Sequence, residues 1–479
     1  MTDLKLGLVL AGTLVLGACA NMGAASGPAL AGEEARLPTT WYAPPLPHQG
    51  QKEAMAEWWA RMGDPQLPAL IGLAQNSSPS LEAARAQVMA ARAAQAGADS
   101  SLLPQVGLTA SAYRGENASA PLGTGMNVGL QASWSLDLWG QNASASRQAS
   151  AQLGAAQAGW HEARVVVAAE TARLYLGWRA CLAQRSVTGS DLASRAATAK
   201  SAAETERAGL LAPATAALAR AGQADAEARL AQQTRACEQQ FKGLVALVGL
   251  PEPALRERLG GGDTLPDPSA AGSALSVAAV PLEVVRQRPD VARAQLELVA
   301  AAEGVGVARA ALWPSLSLVG SVLRNRFTTG GETTSFNTWS VGPLTLNLPL
   351  IGRAGLSAAA QAAQARYEAS AVAYAGTLRQ AVSEVERALV ALDALRTQQR
   401  ANREAVDGYT RSLNATMARY RVGLANLNEL EDARRLKLAA DSGAVALQLD
   451  QINTWIDLYV ALGGGFDPTH APPMERPAS

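Results

Sequence analysis

The chain has 479 residues, with 41 basic and 41 acidic side chains and a formal net charge of zero at pH 7. A neutral chain lacks the excess of basic residues that nucleic-acid binding requires, so we expect no nucleic-acid partner. Aromatic residues make up 5% of the sequence and apolar residues 48%, a composition that favours long, closely packed helices. No apolar run long enough for a transmembrane helix follows the N-terminal segment, so any membrane crossing is expected to use strands.

The N-terminus resembles a bacterial secretion signal that ends in a lipidation site. Lys5 is followed by an apolar run over residues 6–16, and two small residues then precede Cys19. This lipobox pattern predicts a signal peptide over residues 1–18, thioether lipidation of Cys19 and acylation of the new amino terminus with chains such as palmitate. Because Ala20 rather than an aspartate follows the cysteine, the resemblance implies sorting to the outer membrane. A plain secretory signal with an incidental cysteine is the alternative.

A helix that leads into a strand occurs twice in the sequence. Pro79 and Pro104 bracket one Ala-rich segment, and Pro289 and Pro314 bracket a second segment of the same length. Each segment has few helix breakers, so we expect a helix that begins just after one proline and ends at the next. After the closing proline of each segment, the apolar period changes from helical spacing to alternation, which predicts a strand.

Further matches between the two halves follow in the same order, which predicts an internal duplication. The run Arg207-Ala-Gly209-Leu210, for example, matches Arg421-Val-Gly423-Leu424. The predicted organisation is a signal peptide (1–18), a lipidated N-terminal tether (19–51), a first repeat (52–250), an inter-repeat linker (251–281), a second repeat (282–466) and a flexible tail (467–479).

Alternation of apolar and polar residues marks the predicted strands. Between Met126 and Leu138 every even position is apolar and every odd position is polar or glycine. One face is therefore apolar over the length that a tilted membrane-spanning strand needs. In the second half the alternation changes phase at Gly342-Pro343, which predicts a bulge or bend. Four strands are expected in each chain, over residues 105–113, 126–138, 315–324 and 339–350, with hairpin loops over residues 115–125 and 325–338.

Long helices are expected after the second strand of each repeat. Residues 141–211 contain no proline, and about seventy residues at about 1.5 Å per residue give a helix about 100 Å long. Residues 354–424 repeat this pattern. They include the 4-3-4-3 spacing of a coiled-coil seam at Leu378, Val382, Val385, Leu389 and Leu392. Two helical hairpins are predicted, with turns near residues 209 and 423 and returning helices over residues 212–250 and 425–462.

Two stretches carry a family resemblance. The segment from Trp58 to Ile71, WWARMGDPQLPALI, and the motif Arg288-Pro-Asp-Val with its following helix and Pro314 resemble the outer-membrane efflux lipoproteins of the TolC-like family. These are the NodT-type outer-membrane factors of RND tripartite pumps, and the resemblance extends over nearly the whole mature chain. One departure is Gln295, which stands where the family pattern leads us to expect an acidic residue.

The resemblance implies a fold that is consistent with the strand count. Four strands cannot close a barrel alone, and an open sheet edge is not tolerated in lipid. The implied fold is an α+β membrane protein, a homotrimer whose twelve-stranded β-barrel continues into a long periplasmic α-helical coiled-coil barrel. The implied location is the cell outer membrane, with a lipid anchor and a large periplasmic portion. The implied partners are outer-membrane lipid, a periplasmic adaptor protein and an inner-membrane RND-type transporter. A soluble sandwich of the same strands is the alternative fold.

Two functional sites are expected near the hairpin turns. Glu429 and Asp432 lie three residues apart, which puts both carboxylates on one face of the returning helix. The resemblance implies that they form acidic rings in a trimer, at a periplasmic gate that favours cations. An ordinary solvated helix face is the alternative. The turns at Gly209-Leu210 and Gly423-Leu424 are the expected docking surface for an adaptor hairpin, and a simple tight turn is the alternative there.

A disulfide is the other expected feature. Cys181 and Cys237 lie at equal distances along the sequence from Gly209. An antiparallel hairpin that turns at this glycine would place them at the same height, and an exported chain meets oxidising conditions. Two buried free thiols are the alternative. The corresponding positions of the second repeat are Leu395 and Gln451, so the fold does not depend on the bond.

No constellation typical of catalysis or metal binding is present in the sequence. His48, His161 and His470 are far apart and lack ligand spacing, and there is no phosphate-binding loop or nucleophile elbow. We therefore expect no enzyme, no metal and no cofactor. The predicted function is a passive exit duct of a tripartite efflux pump, which carries drugs or other small toxic compounds. A duct for type I protein secretion and a non-conducting envelope scaffold are the alternatives.

Overall fold

The structure is a computed structural model that describes residues 37, 38, 40–43, 58–117, 120–260, 265, 266 and 285–466. The predicted signal peptide, Cys19 and the C-terminal tail lie outside these residues. In chain order the described elements are α1 (Trp58–Arg61), α2 (Gln66–Ser77), α3 (Pro79–Ser100), β1 (Gln105–Asn117), β2 (Ala120–Leu136), α4 (Gln141–Arg207), α5 (Pro213–Val248), α6 (Glu252–Leu259), α7 (Pro289–Ala310), β3 (Ser315–Thr329), β4 (Glu332–Asn347), α8 (Arg353–Arg421) and α9 (Leu427–Ala461).

The chain divides into two compact units. The first unit contains all four strands, within residues 87–156 and 293–377, together with the helix segments that adjoin the sheet. The second unit includes described residues within 38–86, 157–292 and 378–466, and it contains the turns of both helical hairpins. Each unit takes segments from both halves of the sequence, so the sheet and the hairpins each depend on both predicted repeats.

The sheet joins the two halves of the chain. Its order is β1-β2-β3-β4, and every neighbouring pair is antiparallel. β2 and β3 lie far apart in sequence yet pair along their length, with Leu130 opposite Val322 and Trp134 opposite Leu318. Within the described chain β1 and β4 each pair on one side only, so the sheet has two open edges.

The two predicted hairpin loops are wrong, because the strands continue through them. β1 reaches Asn117 and β2 begins at Ala120, while β3 and β4 are joined by Gly330 and Gly331. These glycines have positive φ values of 58° and 91°. Glycine accepts positive φ without steric cost, which permits a two-residue turn between long strands. At their other ends β2 and β4 stop at residues 136 and 347, before the predicted ends.

Residues 115–125 contain glycines that are typical of a loop, but Gly123 and Gly125 make room for aromatic rings. A Cβ atom on Gly125 would lie 2.5 Å from the ring of Tyr113 on the neighbouring strand, and a Cβ on Gly123 would lie 2.5 Å from the ring of Phe327. Each of these two glycines therefore leaves room for an aromatic ring from the neighbouring strand. The sequence alone does not distinguish a glycine of this kind from a loop glycine.

β4 contains the bulge that the sequence predicts. Leu318 pairs with Leu344, whereas Gly320 pairs with Val341, so β4 has one extra residue in this interval. The extra residue falls at Gly342-Pro343, where the peptide bond is cis and Gly342 has a φ of 110°. Proline has no N–H for the ladder and glycine permits the positive φ, so this pair suits an interrupted ladder.

The two long helices end close to the glycines that the sequence indicates. α4 has 67 residues and α8 has 69, which makes each about 100 Å long. The returning helices α5 and α9 are about half as long, with 36 and 35 residues. Among the described residues, no helix combines the length and the apolarity of a membrane span.

The core of the second unit contains an aromatic stack beside a buried carboxylate. Trp58 is fully buried and stacks on Tyr459 with 4.6 Å between ring centroids. Asp64 accepts a hydrogen bond from the hydroxyl of Tyr175 at 2.7 Å and another from Arg179 at 3.0 Å. Burial, together with the hydrogen bond to Asp64, raises the pKa of Tyr175 above its ordinary range. These contacts explain why residues 58–64 have a distinctive sequence.

The predicted linker over residues 251–281 is not wholly irregular, because it begins with a helix. α6 starts directly after Pro251, a residue that suits the start of a helix. Leu255 and Leu259, one turn apart, are buried against the core of the second unit. The Pro- and Gly-rich composition of the segment gives little sign of this helix, which is held by its packing.

Candidate functional site at the helical tips

Both helical hairpins turn through the same hydrogen-bonded motif. After α4, the N–H of Leu210 donates to the carbonyl of Thr205 at 3.0 Å. The N–H of Gly209 donates to the carbonyl of Glu206 at 2.9 Å. The equivalent bonds after α8 measure 2.8 and 3.1 Å. This is a Schellman motif, which needs a left-handed residue, and Gly209 and Gly423 have φ values of 74° and 77°.

The turns expose apolar side chains. In a Schellman motif the residue after the glycine commonly packs against the preceding helical turn. Leu210 and Leu424 do not pack in this way, because they are 80% and 70% exposed, and Val422 is 69% exposed. Each of the two predicted docking turns therefore presents a leucine that has no local packing role.

Glu429 lies in the first turn of α9, where it caps the helix. Its N–H donates to Oδ1 of Asn426 at 2.9 Å, and its carboxylate accepts from the N–H of Asn426 at 3.3 Å. This reciprocal arrangement is a capping box. The carboxylate also pairs with Arg419 at 3.5 Å. The predicted gate carboxylate thus stabilises the start of its own helix.

Asp432 lies nearly one turn further along α9. It pairs with Arg435 at 2.9 Å, and both side chains are exposed. An exposed pair of this kind contributes little to stability. The spacing puts Glu429 and Asp432 on one side of α9, as predicted, but each has an arginine partner. These arginines reduce the negative charge that the predicted acidic rings would carry.

A buried ionic network links α4 to α9, and its central carboxylate is not one of the predicted gate residues. Glu431 accepts hydrogen bonds from Arg434 on its own helix at 2.7 Å and from Arg195 on α4. The Arg434 side chain is only 4% exposed. It also donates to the carbonyl of Ser194 at 3.1 Å and to the hydroxyl of Thr198 at 2.6 Å. One arginine therefore joins two helices from different hairpins.

The network extends to the returning helix of the first hairpin. Asp191 accepts from Arg195 at 3.0 Å and pairs with Arg229 on α5 at 3.3 Å. The only sign of the network in the sequence is the local spacing of Asp191 with Arg195 and of Glu431 with Arg434, which suits pairs on a helix surface. The contact between α4 and α9 joins residues far apart in sequence, so periodicity does not predict it.

A cavity of about 820 Å³ lies beside this network. Its walls come from α4, the end of α8, both turns and the start of α9, and include Ser201, Thr205, Tyr420 and Arg434. The packing of the helices is therefore interrupted beside the network.

The first hairpin carries a disulfide between Cys181 on α4 and Cys237 on α5. The Cα atoms of the two residues are 5.4 Å apart, within the range that a disulfide needs. Both residues are buried. The side chain of Gln233 also approaches Cys181, with 3.1 Å between Nε2 and Sγ. The turn at Gly209 thus brings the two cysteines to the same level of the hairpin.

The Arg-Pro-Asp motif forms an ionic clamp in the second unit. Arg288 donates to both oxygens of Asp290, at 3.0 and 2.7 Å, and to Glu384 at 2.7 Å. It also donates to the carbonyl of Ala461, at the end of α9, at 3.0 Å. Burial lowers the pKa of this guanidinium, but its bonds with Asp290 and Glu384 outweigh burial and raise the pKa above its ordinary value. The clamp ties the start of α7 to α8 and α9.

Sequence and fold both match known outer-membrane proteins. The model of a family described as outer membrane efflux protein matches residues 70–250 and 280–464, which is most of the chain. The chain belongs to the outer membrane efflux protein family. The two matched segments of this efflux protein each contain a pair of strands followed by a long helix and a returning helix.

Relatives of the efflux protein are similar along nearly their whole length. Pyoverdine export outer membrane protein OpmQ of Pseudomonas putida is 30% identical over 461 residues, which cover 90% of this chain and 93% of OpmQ. Outer membrane protein OprJ of Pseudomonas aeruginosa is 29% identical over 476 residues, 95% of this chain and 94% of OprJ. The efflux protein is therefore an outer-membrane component of an efflux system.

A solved structure supports the same assignment. The outer membrane protein VceC of Vibrio cholerae is 26% identical to the efflux protein, with a TM-score of 0.75 over 86% of this chain and 99% of VceC. The combination of a short antiparallel sheet with very long helices is therefore shared with a known outer-membrane protein.

The described part of the predicted N-terminal tether of the efflux protein contacts the second unit. The backbone N–H groups of Tyr42 and Ala43 donate to the two carboxylate oxygens of Glu386, at 2.7 and 2.8 Å. Ala43 is buried against the core of the second unit. The tether therefore has a docking point on α8. The predicted lipidation site, Cys19, lies outside the described residues and stays a prediction.

Proposed function

We propose that the efflux protein assembles as a homotrimer and serves as the passive exit duct of a tripartite pump. The observation that carries the proposal is the sheet, which has two open edges and an exposed apolar face. Val106, Leu130 and Trp339 on this face are 64%, 53% and 78% exposed. A face of this kind suits lipid, where open edges are not tolerated. Three copies that pair β4 of one chain with β1 of the next give twelve strands and a closed barrel.

The repeated order of elements supports an internal duplication. Each half of the chain supplies one strand pair and one long helical hairpin. A trimer would therefore arrange six hairpins around its axis, and they would form the periplasmic coiled-coil barrel that continues from the β-barrel. The two faces of each strand suit this arrangement, because the face opposite the apolar one carries small polar residues such as Thr109, Ser111 and Asn127.

We propose that the gate lies at the periplasmic tips and involves more than the two predicted acids. Glu429 and Asp432 would line the aperture, each near an arginine. Glu431 and Arg434 would hold α9 of the second hairpin against α4 of the first. The corresponding residues of the first repeat, Thr215 and Leu218, are not acidic. The two hairpins of one chain therefore contribute differently to the gate.

The exposed turns are the proposed docking surface for the periplasmic adaptor. Leu210 and Leu424 occupy equivalent positions in the two hairpins and are both strongly exposed. Six such turns in a trimer offer a ring of apolar contacts for adaptor hairpins. The adaptor would link the duct to an inner-membrane RND-type transporter. That transporter would supply the energy, because the sequence of the duct predicts no phosphate-binding loop for a nucleotide. Docking would shift a closed tip towards an open one.

We propose that the duct carries drugs or other small toxic compounds, and that Cys19 is lipidated and anchors the protein in the outer membrane. The same exported location supports formation of the bond between Cys181 and Cys237. The experiment that tests the function measures the oligomeric mass and the bilayer conductance of the detergent-extracted mature protein. We expect a trimer with a small, gated conductance. A monomer or dimer that conducts nothing would contradict the duct and favour an envelope scaffold.

Deletion of the gene separates the efflux duct from a duct for type I protein secretion. We expect the deletion strain to lose tolerance to small toxic compounds and to regain it when the wild-type protein is supplied. Loss of a secreted protein with unchanged tolerance would contradict the efflux proposal. The variant Cys19→Ser, expressed in the deletion strain, tests the lipid anchor. We expect this variant to incorporate no labelled palmitate.

A further inference from the structure

The apolar face of the sheet changes its chemistry towards the hairpin end. The strand registers align residues in rows across β1 to β4. The row through Val322 is apolar, with Leu130 and Trp339 as its neighbours. Nearer the helices the rows stay apolar or carry glycine. Nearer the hairpins the same face carries three arginines, Arg114, Arg324 and Arg326.

The arginines lie in three successive rows on alternate strands. Arg324 is in register with Val128 and Asn337, one row beyond Val322. Arg326 follows one row further, opposite Met126. Arg114 on β1 lies in the next row, opposite Thr124. The three positions share a face because side chains two residues apart point to the same side of a sheet. These three residues are called the arginine patch.

The arginine patch lacks anionic partners. All three side chains are exposed, and none of them makes an ion pair with any residue that the structure describes. Arg324 has one neutral partner, because its Nη1 donates to Oδ1 of Asn337 at 3.2 Å. Glu332 lies on the opposite face by alternation, whereas Glu116, two residues beyond Arg114 on β1, lies on the same face one row nearer the hairpin. The three arginines and this one acid give the face a net positive charge of about two at the edge of an apolar band.

We propose that the arginine patch binds the phosphate groups of an outer-leaflet lipid, and this inference rests on the proposed outer-membrane barrel. In that barrel the apolar face contacts lipid, and the hairpins lie on the side away from the periplasm. An arginine that faces acyl chains costs about 2–4 kcal/mol at mid-depth, but little near the headgroups. A planar guanidinium binds phosphate through two parallel hydrogen bonds, which suits phosphorylated headgroups.

The spacing of the patch suits a lipid with more than one phosphate. Neighbouring strands are about 4.8 Å apart, so the columns of β1 and β3 are separated by roughly 10 Å. Arg324 and Arg326, two residues apart on β3, are roughly 7 Å apart along the strand. The intervening strand β2 carries the short or flexible side chains of Thr124, Met126 and Val128 on this face. A headgroup can therefore lie over β2 with arginines on both sides.

The test uses the full mature protein in mild detergent, titrated with bis-phosphorylated lipid A. The triple variant Arg114→Gln, Arg324→Gln, Arg326→Gln removes the patch. The triple variant Arg400→Gln, Arg403→Gln, Arg411→Gln is the control, because it removes equal charge from exposed positions of α8. We expect the patch variant to bind lipid A on the order of tenfold to hundredfold more weakly, with wild-type affinity in the control.

Two further probes identify what is bound. Dephosphorylated lipid A should bind wild type and patch variant alike, and inorganic phosphate should not compete at millimolar concentration. Equal lipid A affinity in wild type and patch variant, or full competition by inorganic phosphate, would overturn the proposal. If the patch variant fails to assemble, the Lys variants of the same positions keep the charge but lose the two-bond geometry, and they should bind with intermediate affinity.

The lipid A binding test and the test of the proposed efflux function can fail independently of each other. A protein that binds lipid A through the patch but restores no efflux would contradict the duct and leave the lipid site standing. Normal efflux with equal lipid affinity in both triple variants would contradict only the lipid site.

Discussion

Glu431 on α9 accepts a hydrogen bond from Arg195 on α4, so the second hairpin is tied to the first by a carboxylate that is largely buried. The same carboxylate accepts from Arg434. Because both cations share one acid, the removal of that acid affects two helices at once. This makes Glu431 the most informative residue to change at the tips.

We expect Glu431→Gln to weaken the closed tip. The variant keeps the shape of the side chain but leaves the buried Arg434 without its carboxylate and leaves Arg195 with Asp191 alone, which costs about 3 kcal/mol at a buried site. The expected results are a lower melting temperature of the helical signal and a higher single-channel conductance in planar bilayers. Glu404→Gln is the matched control, since Glu404 is an exposed acid of α8 outside the network. Identical conductance in the two variants would remove the network from the gate.

Neutralisation of the predicted acidic rings tests ion preference. We expect Glu429→Gln combined with Asp432→Asn to reduce the cation preference of the channel, as measured by the reversal potential in a KCl gradient. The glutamine retains the capping box, so the start of α9 stays intact. Glu404→Gln with Asp450→Asn removes two exposed acids elsewhere on α8 and α9 and serves as the control. An unchanged reversal potential in the first variant would contradict the ring model.

Removal of the disulfide should destabilise the first hairpin. The two cysteines are separated by 56 residues, and the loop-entropy model gives about 4 kcal/mol for a bond that closes a loop of this length. We expect Cys181→Ser with Cys237→Ser to lower the midpoint of chemical denaturation. Treatment with a reductant should bring wild type to the level of the variant. If thiol titration of the unfolded, unreduced protein detects two free cysteines, the bond does not form.

Polar substitutions at the turns test adaptor docking. We expect Leu210→Ser with Leu424→Ser to weaken adaptor binding roughly tenfold or more, because the burial of two leucines is worth a few kcal/mol. Pull-down titration with the purified adaptor measures the change. Val390→Ser is the control, since Val390 is also exposed but lies away from the turns. Equal loss of adaptor binding in the control would show that a polar substitution at any exposed site has this effect, and not only one at the tips.

We expect ionisation of Tyr459 to lower the stability of the folded protein at high pH. Burial raises the pKa of this tyrosine from 10.0 to about 12, and its hydroxyl donates to the carbonyl of Gly464 at 2.8 Å. The unfolded chain loses the proton first, so this contribution is complete below pH 10 and is lost as the pH rises towards 12. We expect Tyr459→Phe to lessen the fall of the melting temperature between these pH values. The same fall in both proteins would assign the alkaline loss to other groups.

Local pattern predicts much of the fold, but not the contacts between distant segments. The alternation of residues 126–138 indicates a strand because each position has a fixed face, and the bulge at Gly342-Pro343 follows from the chemistry of these two residues. Gly209 and Gly423 mark the turns because glycine readily takes a positive φ. The extended hairpins were less predictable, since Gly123 and Gly125 acquire their role only when the rings of neighbouring strands cover them.

The gate assignment of Glu429 and Asp432 stays a prediction. Helical spacing singles out these two acids on one face of α9 and gives no reason to choose Glu431, which lies between them in the sequence. Only packing against α4 distinguishes Glu431, because it brings Arg195 to the same carboxylate. The helix α6 is also defined by packing, because Leu255 and Leu259 stabilise it through contact with the core of the second unit, which the local sequence does not reveal.

The covalent link between α4 and α5 has a mechanical consequence. A bond at one level prevents the two helices from sliding past each other there, so the part of the first hairpin beyond it can only bend or swing about that level. The second hairpin has Leu395 and Gln451 at the corresponding positions, so no covalent bond holds its two helices together at that level. In the proposed trimer, three hairpins with the disulfide would alternate with three hairpins without it around the threefold axis. The aperture would then widen mainly through movement of the three second hairpins.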